Sequence, residues 1–219
     1  MRTSTVVKGI LAAAAIAVPL PSFAGSTVTT TASGGKYTAA VTLNFQVTIP
    51  QILYLRVGTG SSYTTGTLAT VASGAADNFT FAPAAGNVGN GTAVAASTGG
   101  DLGTGVSTAA VIGNGGAITL VATNGGALSD GAGDTINYNQ ITTTPATFTT
   151  GTMLTPPTLA NGTSNTVTLT PAVGNVIDED AQWTFKYANT AGVVPGAGTY
   201  GGTGVAANNG TVTYTATML

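Results

Sequence analysis

The side chains of this chain that could act as acids, bases or hard-metal ligands are few: Asp77, Asp101, Asp130, Asp134, Asp178, Glu179 and Asp180. There is no His and no Cys anywhere in the 219 residues. The densest group is the run Asp178-Glu179-Asp180, placed ahead of an apolar strand pattern. Three carboxylates in one turn are oxygen donors of the kind Ca²⁺ takes. The plainer reading is a solvated turn that keeps a sheet edge from pairing with other chains. Asp130-Gly131-Ala132-Gly133-Asp134 has the look of a calcium-binding β-roll turn, but it occurs once and reads more simply as a glycine-rich turn. Paired carboxylates are also the machinery of glycoside hydrolysis. Here, though, Asp77, Asp101, Asp130 and Asp134 stand beside Gly, Ala or Asn, where nothing suggests the burial that raises a carboxyl pKa. Serine chemistry has no His base, and a Ser–Lys variant would have only Lys36 or Lys186. The residue types therefore point away from an enzyme, and no cofactor or resident metal is expected.

Aromatic side chains offer a different chemistry, since an exposed ring can stack on a sugar. Tyr54, Tyr63, Tyr138 and Tyr200 are the candidates for a glycan-binding reading. Trp183, Phe185 and Tyr187, spaced by two, belong more naturally to one buried strand face. Asn78, Asn90, Asn161 and Asn209 each begin a glycosylation sequon. Three of the four are Asn-Gly pairs, which turn geometry alone explains.

The composition sets these sites in context. Charged residues make up 5% of the chain while 43% is hydrophobic, with five basic residues against seven acidic. Two of the basic residues, Arg2 and Lys8, precede an apolar run over residues 6–18. Pro19 and Pro21 then break the run, and Ser22-Phe23-Ala24 places small residues where a signal peptidase reads. Residues 1–24 are expected to be a secretory signal peptide cleaved before Gly25. The run is too short to span about 30 Å of hydrocarbon, so no membrane span is expected after cleavage. Removing Arg2 and Lys8 leaves three basic residues against seven acidic, a net charge of −4. Lys36, Arg56 and Lys186 are too scattered to neutralise a phosphate backbone, which excludes nucleic-acid binding of the electrostatic kind. The expected location is the periplasm, outer surface or surroundings of a bacterium. Without Cys, no disulfide stabilises the exported protein.

The elements that must position these residues are strands. Over residues 37–49, Tyr37, Ala39, Val41, Leu43, Phe45, Val47 and Ile49 alternate with Thr38, Ala40, Thr42, Asn44, Gln46 and Thr48. That is the period of a half-buried strand. Pro50, which cannot donate to a ladder, ends it. Further strands are expected over 51–57, 67–72, 78–82, 106–112, 117–123, 135–141, 165–170, 182–187 and 211–218. Asn114-Gly115-Gly116 between two of these runs is a hairpin signal. Residues 142–162, with three prolines, read as a long crossover. No amphipathic helix is visible after the leader. About nine or ten short strands imply an all-β chain: one antiparallel β-sandwich over residues 25–219, Ig-like in layout, with 25–36 as a flexible lead-in.

The pattern Trp183-Thr184-Phe185-Lys186-Tyr187, then Gly198-Thr199-Tyr200-Gly201, then residues 210–217 around Tyr214, resembles the closing hairpin of small secreted bacterial β-sandwiches. These include chaperone–usher-type pilin subunits, above all the spore-coat-protein-U-like group, and WxL-type surface domains. Residues 41–50 followed by Leu53-Tyr54-Leu55 are similar to their opening strands. The resemblance implies a structural or adhesive subunit of the cell surface that assembles with itself or with another surface protein. It transfers no functional residue. A physical route to assembly exists in strand donation, where an extension of one subunit completes the sheet of another. The face of Val41, Leu43, Phe45, Val47 and Ile49 is then either the first strand of the chain's own sandwich or a strand given to a neighbour. The second functional reading is a secreted carbohydrate-binding module.

Overall fold

A computed structural model describes residues 38–58, 77–148, 151–202 and 208–219. The expected signal peptide, Tyr37, Tyr63 and the expected strand over 67–72 lie outside the described residues. The chain divides into two compact units, Met1–Ile49 and Pro50–Leu219.

Of the first unit, residues 38–49 are described, and none of them lies in a strand. The alternating segment is not a strand of a sandwich within its own unit. Its apolar side chains stand in solvent, with Leu43 70%, Phe45 87% and Val47 83% exposed. Alternation gives a segment one apolar face, but a strand also needs a partner for its backbone N–H and C=O groups and a layer to cover that face. Sequence supplies the first of these and not the second.

The second unit is all-β, an antiparallel sandwich of eleven strands. Its larger sheet runs β1 (Leu53–Val57), β3 (Val106–Gly113), β10 (Ile177–Tyr187) and β2 (Val94–Ala95), with β7 (Ile141–Ala146) and β8 (Thr152–Met153) also on β10. All these pairs are antiparallel except β8 with β10. The smaller sheet is β11 (Thr213–Met218), β4 (Ile118–Thr123) and β9 (Val167–Leu169). A two-residue hairpin, β5 (Leu128–Ser129) with β6 (Thr135–Ile136), stands apart.

Odd-numbered residues of β10 face the core, as the period of two requires. Ile177, Ala181, Trp183, Phe185 and Tyr187 are all buried. They meet Ala109 and Val111 of β3 and, from the other sheet, Ile118, Leu120 and Leu169. Trp183 is fully enclosed. Its indole N–H donates to the Leu154 carbonyl at 2.9 Å, so the polar atom costs nothing to bury. Its ring also packs on Tyr214, with centroids 5.5 Å apart.

Three expectations change. Asn114-Gly115-Gly116 is not a hairpin turn, because β3 and β4 belong to different sheets. It is the corner where the chain crosses between layers. The expected strand over 135–141 breaks at a turn of 3-10 helix, Tyr138–Gln140, and β7 takes up what had read as the start of a crossover. Pro145 fits there because β7 pairs on one side with β10. The expected strand over 78–82 is reduced to a single bridge, Thr80 with Thr98.

Candidate functional site: an apolar arm, two open edges and a buried ion pair

The acidic run does not form a turn. It is the first third of β10, and consecutive strand residues point to opposite faces. Asp178 is exposed, Glu179 is on the core side and Asp180 is buried on the other side. The three carboxylates cannot converge on one calcium ion, which corrects the metal reading of this run. No group of three or more acidic residues suited to a metal occurs among the described residues.

Glu179 sits on the face that holds Ile177 and Ala181, opposite Val111. Burial pushes its carboxyl above the model value of 4.5. The folded state therefore holds the proton more tightly than the unfolded chain does. The penalty for ionised Glu179 is absent well below that ordinary value and fully present above the raised one. Glu179→Gln is expected to raise the melting temperature at about pH 7, with the gain shrinking toward about pH 4. Thermal melts of both proteins across that range check it. A constant difference at every pH would contradict the assignment.

The remaining carboxylates hold loops. The Asp130 Oδ1 accepts the backbone N–H groups of Ala132, Gly133 and Asp134 at 2.8–3.1 Å. The Ala132 bond, the strongest cause, holds its carboxyl below the usual range. Asp77 accepts from the Ser107 hydroxyl at 2.7 Å, and a Cβ at Gly58 would collide with the Asp77 carboxylate. Asp101 accepts the Thr108 backbone N–H at 2.7 Å, the Thr108 hydroxyl, and the Arg56 guanidinium at 3.0 Å. The Arg56–Asp101 side chains are 3% and 2% exposed. Arg56 Nε–H also donates to Thr108 Oγ1 at 3.1 Å. In register, Arg56, Ala110 and Asp180 form one row across β1, β3 and β10. These acids tie the loop over 99–105 and strand β1 to the sheet, which is a structural use and not an acid–base pair.

The tyrosines are engaged as well. Tyr138 is 3% exposed, and its hydroxyl donates to the Asn209 carbonyl at 2.6 Å. Burial pushes that phenol up to about 12. The Tyr200 hydroxyl donates to the Gly196 carbonyl at 2.7 Å. Tyr54 is half-buried, with its hydroxyl enclosed. None of the three presents a free ring face of the kind a stacking platform needs.

Asparagine does what charge does in most proteins, and sequence reasoning missed this. Asn189 is fully buried. Its Oδ1 accepts from Gly89 N–H, and its Nδ2 donates to the Asn87 carbonyl, Asn90 Oδ1 and the Thr92 carbonyl. Among the sequon residues, Asn161 and Asn209 are also committed to internal bonds, to Asn137 and to the Ala127 carbonyl. Turn chemistry accounts for these asparagines.

What remains accessible is apolar. In the second unit, the core residues left half-buried include Leu55 and Val57 of β1 and Tyr214, Ala216 and Met218 of β11. β1 ends one sheet and β11 ends the other, and the two lie beside each other. Among the described residues neither has a strand on its outer side. In the first unit, Val41, Leu43, Phe45, Val47 and Ile49 give one exposed apolar face at alternate positions. No helix among the described residues is long and apolar enough to cross a membrane. No protein-family model matches the chain, and no curated protein or solved structure matches it.

Proposed function

We propose that this chain is a non-catalytic, exported structural subunit of a bacterial cell-surface assembly. In that assembly, residues 38–49 of one copy add as a strand to the open edge of a second. The observation that carries this reading is the exposure of Val41, Leu43, Phe45, Val47 and Ile49 on one face of an unpaired segment. An apolar alternating segment in water is costly, at roughly 25 cal/mol for each Å² of apolar surface. It is also a strand without a sheet. Strand addition supplies both missing partners together: ladder hydrogen bonds from an edge, and pockets for alternate side chains. The β1 and β11 edges offer the complement, because their inward residues lack a covering strand.

The leader sequence and the hydroxyl-rich, charge-poor strands support an exterior location. The exposed positions of β11 are Thr213, Thr215 and Thr217, whose β-branched side chains fit a pleated surface without charge. Electron microscopy of the purified protein and of producing cells tests the reading. Fibres or surface-attached assemblies are expected. A strictly monomeric protein, free in the medium, would contradict it.

A further inference from the structure

An apolar arm and an open edge in one chain raise a competition. A short tether gives the arm an effective concentration in the millimolar range at its own chain's edge. Neighbours at about 1 µM would lose by roughly a thousandfold. If the arm could fold back, each subunit would close on itself and nothing would assemble. The exception is a tether that cannot span the two sites, for which the effective concentration falls toward zero.

The tether consists of Pro50, Gln51 and Ile52, between the arm and β1. Its backbone is not free. The last β1–β3 pair is Leu53 with Gly113, and the ladder is then prolonged by one side chain. Asn114 Oδ1 accepts the Ile52 N–H at 2.8 Å, and Asn114 Nδ2 donates to the Pro50 carbonyl at 2.8 Å. The Asn114 backbone N–H donates to the Ile52 carbonyl at 3.4 Å. The polar groups of residues i and i+2 point to the same side only when the chain is extended. The Asn114 amide thus acts as one more strand residue and holds 50–52 in line with β1. Gln51 is wedged as well: its amide donates to the Met218 sulfur at 3.8 Å and occupies the space a Cβ would need at Gly115. A fold-back would have to reverse the chain within these three residues and break both Asn114 bonds. Pro50, with no N–H and a fixed φ, stiffens the same point.

We propose that Asn114 is a positioning residue that denies the arm its own edge and so reserves it for a second copy. This rests on the reading of residues 38–49 as an added strand. Two variants of the full chain test it: Asn114→Ala, and an insertion of four glycines between Ile49 and Pro50 that leaves the body untouched. Each is followed by sedimentation velocity and by limited proteolysis of the arm. Both are expected to shift the protein at least about tenfold from assemblies toward monomers, with the arm newly protected from protease in those monomers. If both variants fold and assemble as the wild type does, the proposal is overturned. The same holds if the glycine insertion alone leaves the distribution unchanged, even when Asn114→Ala does not fold. A wild type that never assembles would instead overturn the strand-addition reading beneath it.

Discussion

Replacing Asp101 with alanine is expected to cost about 3–5 kcal/mol of folding stability, because it strips a buried carboxylate from the buried Arg56 guanidinium. Asp101 holds together three groups at once, Arg56 Nη2, the Thr108 N–H and the Thr108 hydroxyl. In a body of this size that loss corresponds to a fall in melting temperature on the order of 10 °C. It is a large share of the 5–15 kcal/mol that domains typically have. The double variant Arg56→Met with Asp101→Leu is expected to recover most of it, since apolar side chains of similar volume replace a buried pair at little net cost. Calorimetry of the three proteins checks both halves. A single-variant loss below about 1 kcal/mol would mean that the pair is solvated and that β1 is held by its ladder alone.

The consequence extends beyond stability. β1 is an edge strand of five residues, and edge strands are the weakest part of a sheet. Arg56 ties it to Thr108 on the neighbouring strand and to Asp101 in the loop over 99–105. Asn114 holds the residues just before it. An edge that is to receive another strand must be ordered before the strand arrives, and these two clamps supply that order.

Where local chemistry and global placement agree, the fold was legible from the sequence. β11 and the aromatic half of β10 were readable because Tyr214, Ala216 and Met218, and Trp183, Phe185 and Tyr187, alternate cleanly with polar residues. The acidic half of β10 was not. Asp and Glu are depleted from strands, so Asp178-Glu179-Asp180 read as a turn. The register that places Asp180 and Arg56 on either side of Ala110 is a long-range fact. The corner at Asn114 misled for the same reason. Asn-Gly is a local hairpin signal, but this Asn has its partners sixty-odd residues earlier, at Pro50 and Ile52. Asn189 was invisible because nothing in its local sequence shows that a loop about a hundred residues away closes around it.

The candidate site divides in the same way. The apolar face over 41–49 was evident from its period. Whether that face was covered by its own sandwich could not be read from alternation, because the pattern is identical in a core strand and in a donated one. Exposure separates the two, and it turns an ordinary first strand into an arm.

The second large effect falls on that arm. Phe45 is 87% exposed, so Phe45→Asp is expected to leave the fold of the subunit unchanged, within the roughly 0.5 kcal/mol of ordinary surface substitutions. Its effect on assembly is expected to be severe. An added strand must bury the side chain at that position among apolar neighbours, and a lone buried carboxylate costs several kcal/mol. Each 1.4 kcal/mol is tenfold in affinity, so the loss is on the order of a hundredfold or more. Met218, at the open edge of the last strand, is only half-buried, and Met218→Asp is expected to act in the same direction from the receiving side.

Sedimentation velocity of the full-length secreted chain beside its Phe45→Asp variant is the most direct measurement. The wild type is expected to sediment as a series of assemblies, and the variant as a monomer with the same melting temperature as the wild-type monomer. Identical distributions for the two proteins would contradict assembly through residues 38–49.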